Sequence, residues 1–176
     1  MRTIAIIGGK QCQSTKEALE NIYRNFSTLI KDRCTEIIVD CDCDSLYSDK
    51  YNIAIVFDLA NVSTKTLSIL KNSDCILLNS DIKNINKLNT NIGKKIITFG
   101  LNSKATITTS SISKGETKKI VYCIQRELST FSGNKLIQQE FSIETKTPDT
   151  DIYSLLAITT TLLLDDFQSL TQILCV

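Results

Sequence analysis

The sequence predicts an α/β protein: a doubly wound, mostly parallel sheet with a small antiparallel β-sheet appended in its C-terminal half. Three observations carry this. Five short apolar runs of strand type alternate with helical segments. The first run ends in Gly8-Gly9, and a polar loop and a helix start follow. After Gly100, three strand-like stretches succeed one another with no helix between them. Parallel neighbours need crossover helices, so the first half reads as parallel, whereas consecutive strands joined by turns read as antiparallel.

Thr3–Ile7 is apolar on both faces, as a buried parallel strand is. Ser14-Thr-Lys-Glu17 has the form of a capping box opening a helix that runs to about Arg33, with Ala18, Ile22, Phe26, Leu29 and Ile30 on one face. Glu36–Asp40 is a second strand, and Cys41–Asp49 a loop rich in carboxylates. Ile53–Asp58 is a third strand, and Ser63 caps a helix reaching Lys71. Cys75–Asn79 is a fourth strand, with Asp81 capping a short helix through Leu88. Lys95–Gly100 is the fifth. The antiparallel part comprises Ala105–Ile112, Lys118–Leu128 and Asn134–Thr145, with turn residues at Lys114-Gly115 and Ser132-Gly-Asn134. Asp149 or Thr150 caps a helix over Tyr153–Leu164, Asp165-Asp166 ends it facing solvent, and Phe167–Leu174 forms a last apolar helix. The chain reads as one domain over residues 1–176, divided into a parallel part (1–100), an antiparallel sheet (101–148) and C-terminal helices (149–176).

Composition narrows the function. Hydrophobic residues make up 42% and charged residues 22%, and the net charge is +1. No block of like charges points to nucleic acid. The run Leu155–Leu164 is too short to span a bilayer. The N-terminus opens on a strand pattern without a secretion signal, so the expected location is cytoplasmic. Seven Cys, several within strand patterns, read as reduced thiols. The absence of His removes histidine general bases, Ser–His and Cys–His pairs, and mixed Cys/His metal sites.

Four local features could carry chemistry. The loop Gly8-Gly9-Lys10 through Ser14-Thr15 follows a strand and opens a helix, where backbone N–H groups and two hydroxyls can hold an anion. Ser14 has an alternative role as an N-cap. Cys41-Asp-Cys43-Asp44 offers two thiols and carboxylates but no second ligand pair, so a polar loop is the expectation and no metal site is assigned. Cys12 lies at a helix N-terminus, which favours thiolate, without a visible base or resolving partner. Asp40, Asp58 and Asp81 stand at strand C-termini, the edge where such sheets bind ligands.

The order of features resembles the central, ATP-binding domain of the Mur ligase family. Ile4-Ala-Ile-Ile-Gly8 followed by Ser14-Thr-Lys-Glu17 is similar to that family's first strand, phosphate loop and helix. Leu77-Leu-Asn-Ser-Asp81 is similar to its Leu-Asn-x-Asp-Asp strand end. Ile96 to Ile112, containing Thr98-Phe-Gly100, resembles its Thr-Phe-Gly strand and the strand beyond. Asp151 to Leu164 resembles the helix that follows its antiparallel sheet. The resemblance implies a sheet of phosphate-loop (P-loop) type, with Gly8, Gly9, Lys10, Ser14, Thr15, Asn79 and Asp81 as a vestigial nucleotide site.

The departures bear on activity. With Gly8 on the first glycine of Gly-x-x-Gly-Lys-Thr/Ser, Gln11 stands at the second glycine and Cys12 at the lysine that reaches the β- and γ-phosphates. Lys10 comes two positions early. The family's Asp-His pair has no counterpart near Asp58–Thr64. Its helix His is replaced at Thr150 or Asp151, and Ile82 replaces the second Asp after Asn79. The family's flanking substrate and amino-acid domains have no counterpart. The resemblance thus implies a stand-alone central domain with no catalytic residue of its own. It would act by binding or protein association, linked to cell-wall precursor metabolism. The alternative is an ATP-binding subunit or ligase completed by a partner polypeptide. No cofactor is expected under the first reading, and ATP with Mg²⁺ under the second. The apolar C-terminal helices suggest a homodimer or a partner protein.

Overall fold

The computed structural model describes residues 2–25, 35–39, 50–60, 63–83, 94–145 and 150–167. It resolves into two compact units, residues 1–97 and 98–176.

In the first unit, β1 (Arg2–Ile7) pairs in parallel with both β2 (Thr35–Val39) and β3 (Tyr51–Val56). β3 pairs in parallel with β4 (Ser73–Asn79), and β5 (Lys95–Phe99) lies beyond β4. The unbroken apolar runs foretell the burial: Ile4–Ile7, Ile53–Val56 and Cys75–Leu78 are buried throughout, on both faces of the pleat. One face packs Ala5, Ile7, Val56 and Leu78 against Ile69 and Leu70 of α2 (Thr64–Lys71). A polar staple crosses the start of these strands. The Thr3 amide donates to Asn52 Oδ1 at 3.0 Å, and Asn52 Nδ2 donates to Asp74 Oδ2 at 3.3 Å.

Ser63 caps α2 as expected. Its hydroxyl accepts from the Thr66 amide at 3.0 Å, and the Thr66 side chain closes the box on the Ser63 amide. The first helix departs from expectation. α1 runs Cys12–Asn25, so Ser14 is its third residue and no capping box forms there. The glycine turn starts the helix three residues early: the Thr15 amide already bonds Gln11 O at 3.0 Å, and the Ser14 hydroxyl donates to the same carbonyl at 3.1 Å. Its buried face is Thr15, Leu19, Ile22 and Tyr23, with Ala18 only half-buried. The expected continuation through Phe26, Leu29 and Ile30 to Arg33 lies outside the described residues. So do Asp40, the loop with Cys41 and Cys43, and the helix expected to reach Leu88.

In the second unit, β6 (Ile107–Lys114), β7 (Lys118–Ile124) and β10 (Gln139–Thr145) pair antiparallel in the order β6-β7-β10. The appended antiparallel strands are thus present as expected. The β5 end joins β6 through one parallel pair, Phe99↔Ile107. A separate two-stranded sheet forms from β8 (Leu128–Ser129) and β9 (Lys135–Leu136). The expected stretches Lys118–Leu128 and Asn134–Thr145 are therefore each broken in two.

α3 (Ile152–Leu164) is capped by Asp151, whose carboxylate accepts from the Ser154 amide at 2.9 Å, and not by Asp149 or Thr150. Every side chain from Ser154 to Leu164 is buried, so α3 offers no exposed apolar stripe. The Tyr122 hydroxyl meets Thr160 Oγ1 at 2.7 Å. Asp165 is buried at the end of α3, contrary to a solvent-facing terminus. Asp166 adopts φ +62°, and its carboxylate accepts from Ser132 and from Asn134 Nδ2. The last apolar helix, beyond Phe167, lies outside the described residues. Among the described residues, no helix is long and apolar enough to cross a membrane.

Candidate functional site

The C-terminal ends of β1, β3 and β4 converge on the glycine loop. Gly8 and Gly9 take φ of +70° and +84°, a left-handed region that side chains disfavour. Gly8 turns the chain directly against Asp58. A Cβ there would stand 2.2 Å from the Asp58 carbonyl oxygen. The Phe57 amide donates to Ile7 O at 2.9 Å, which locks the ends of β1 and β3 together. Asn79 extends the lock to β4: its Nδ2 donates to Phe57 O at 3.2 Å, and its Oδ1 accepts from the Asp81 amide at 3.0 Å. The Asp58 carboxylate accepts from the Leu59 amide at 2.7 Å.

The loop is closed on itself. Cys12 is buried, and its thiol donates to Gly8 O at 2.8 Å. Its amide bonds Gly9 O at 3.5 Å. The Gln11 side chain folds back beside Gly9.

Gly8, Gly9, Lys10, Ser14, Thr15, Asn79 and Asp81 are thus gathered around one sheet edge, but in different capacities. Thr15 and Asn79 are buried. Lys10, Ser14 and Asp81 are exposed. Sequence reasoning missed the Cys12 thiol as the internal tie of the loop and the Asp58 carbonyl as the wall behind Gly8. A helix-start cysteine directly after a glycine turn was the available signal, although its direction is set only in three dimensions.

Within the loop the short, buried Cys12 thiol spends its donor on the loop's own carbonyl, and the nearby cation, Lys10, is exposed. Among the described residues, no group of three Cys, Asp or Glu side chains is placed to hold a metal ion.

Elsewhere in this unit, burial pushes the Cys75 thiol up to about 11, only partly countered by Lys95. Cys75 is buried in the core of the sheet.

No family model matches the sequence, and neither does any curated protein. A solved structure is similar: UDP-N-acetylmuramoylalanyl-D-glutamyl-2,6-diaminopimelate–D-alanyl-D-alanyl ligase from Acinetobacter baumannii, with a TM-score of 0.67 at 8% sequence identity. The likeness covers 99% of this chain and 45% of the ligase. At that identity it is a likeness of fold: the chain has the α/β fold found in a Mur ligase, and spans less than half of that ligase's length.

Proposed function

We propose that this chain is a Mur-ligase-like central domain without ligase activity, working in the cytoplasm by binding or protein association within cell-wall precursor metabolism. One observation supports the reading above the others. Cys12, which the resemblance sets at the phosphate-binding lysine, is buried and closes the loop through Gly8 O. Ligation by this fold would need charge aimed at the transferred phosphate. Here Thr15 and Asn79 are packed inward, and their positions serve the junction of strand and helix.

Thermal unfolding with Mg²⁺ and ATP tests it. A ligand at 100 times its dissociation constant would add about 2.7 kcal/mol of stability. No shift is expected for the native sequence. A gain of shift is expected for Gln11→Gly combined with Cys12→Lys, which restores the glycine and the cation. Magnesium-dependent release of phosphate by the native chain, abolished by Ser14→Ala and by Asp81→Asn, would overturn the reading. ATP binding that appears only with a second polypeptide would favour a site completed by a partner.

A further inference from the structure

β10 ends the strand order, and among the described residues no strand pairs with its outer side. Alternation of the main chain fixes which of its groups lie on that side. The Gln125 amide donates to Thr106 O at 2.8 Å, and Val121 O lies 2.8 Å from the Thr109 hydroxyl of β6. Val121, Cys123 and Gln125 therefore turn their main chain toward β6, and Ile120, Tyr122 and Ile124 turn theirs toward β10. Register joins these last three to Ile143, Phe141 and Gln139. The N–H and C=O groups of Glu140, Ser142 and Glu144 are left pointing outward, as an edge strand leaves every second residue.

The side chains of these three residues share the face that carries Cys123. Phe141 and Ile143 lie on the other face, with Tyr122, whose hydroxyl meets Thr160 of α3. Phe141 rests against Tyr122 with ring centroids 5.0 Å apart, yet at the sheet edge it is only half-buried, whereas Ile143 is buried. Glu144 accepts from Thr117 Oγ1 at 2.6 Å and has Lys119 Nζ at 3.3 Å, while Glu140 is exposed. Neither proline nor lysine guards the seven residues of β10.

This edge is complementary to itself in one register. With a second β10 laid antiparallel about a two-fold axis, an axis at Glu140 or Glu144 sets a carboxylate against its own copy. An axis at Ser142 sets Glu140 against Glu144, and one at Ile143 leaves Phe141 facing Thr145. An axis at Phe141 sets Glu140 opposite Ser142 of the second copy and Glu144 opposite Gln138, so each carboxylate meets a neutral hydrogen-bond donor. The same axis sets Phe141 opposite Phe141, so the Tyr122–Phe141 contact continues as a row of rings across the join and covers the exposed side of Phe141. We propose that two copies of this chain join edge to edge through β10, antiparallel about an axis at Phe141, into one continuous sheet. Two-fold closure uses up the edge in both copies. The pairing holds whether or not the glycine loop takes nucleotide, so its test and the ATP titration fail separately.

Sedimentation of the full chain from micromolar to millimolar concentration should show the mass rising from one copy toward two and stopping there. Over the same range, amide hydrogen exchange should slow at Glu140, Ser142 and Glu144, with no change at Gln139, Phe141 and Ile143, which β7 already protects. Ser142→Pro removes an outward N–H and no bond to β7, so it should abolish the dimer while circular dichroism stays native. Ser142→Lys would face Glu140 of the second copy and tighten the dimer by roughly threefold, whereas an axis at Ser142 would set lysine against lysine and loosen it. A mass fixed at one copy, growth beyond two, a dimer that survives Ser142→Pro, a dimer loosened by Ser142→Lys, or exchange at the three outward amides indifferent to concentration would each overturn the proposal. The exchange measurement uses the native chain and decides the outcome if a variant fails to fold.

Discussion

Replacing Gly8 with Ala should damage this protein far more than replacing Gly9, although the two are neighbours with similar backbone angles. At Gly8 the new Cβ would lie 2.2 Å from the Asp58 carbonyl oxygen and 2.9 Å from its carbon. Both are main-chain atoms, so neither can swing aside. The left-handed backbone alone costs Ala roughly 1 kcal/mol. Relieving the overlap means separating the ends of β1 and β3, which strains packing by about 1–3 kcal/mol and threatens the Phe57–Ile7 bond, worth about 1 kcal/mol. The total is about 3–5 kcal/mol. At Gly9 the Cβ would approach the tip of the Gln11 side chain at 2.6 Å, which can rotate away, leaving only the backbone contribution of roughly 1 kcal/mol. For a chain of this size each kcal/mol lowers Tm by about 2–4 °C. Circular dichroism melts should therefore show a drop of roughly 10 °C for Gly8→Ala and a few degrees for Gly9→Ala. Equal losses in the two variants would refute the claim that the Asp58 carbonyl confines Gly8.

Two further outcomes follow from buried groups. Thr160 Oγ1 donates to Leu156 O at 2.7 Å, so the Tyr122 hydroxyl must be the donor in their shared bond. Tyr122→Phe then removes a satisfied pair and should cost about 1 kcal/mol, whereas Thr160→Val strands a fully buried phenol and should cost about 1–3 kcal/mol. Urea denaturation of both variants checks the order. Cys75, with its thiol raised from 9.0 to about 11 by burial, is neutral in the folded chain where the unfolded chain ionises. Its contribution to stability is complete below about pH 9 and is lost as pH rises through 9 to 11. Cys75→Ala should flatten this alkaline decline in unfolding free energy, although it lowers stability overall, and a decline of unchanged slope would exclude Cys75 as its source.

The parallel framework was legible because its strands are apolar without interruption. A run such as Ile53-Ala-Ile-Val56 has no polar face to turn outward, and so predicts burial on both sides. Ser63 was legible for a local reason: the cap needs only its own helix. The same logic failed at Ser14, whose Ser-x-x-Glu spacing fits a capping box. The helix there begins where the Gly8–Gly9 turn delivers the chain, and tertiary constraint outranks local propensity. The direction of the Cys12 thiol was beyond reach for the same reason. That Thr108, Cys123 and Glu140 are neighbours across β6, β7 and β10 was equally out of reach, because register alone brings them together.

The two units also differ in how far apart in the chain their pairing partners lie. β6 and β7 close on each other across the short turn at Gly115, with Lys114 opposite Lys118. β1 and β3 must bring Ile4 to Ile53 before their first shared bond can form. The wider loop demands about 2 kcal/mol more chain entropy at closure. The antiparallel hairpin should therefore nucleate early and the parallel sheet condense late, a sequence of events that pulse-labelled hydrogen exchange would record as protection of residues 107–124 ahead of residues 2–7. In that order of assembly the glycine loop is among the last parts of the chain to take shape, since Gly8 meets Asp58 only once β1 and β3 have joined.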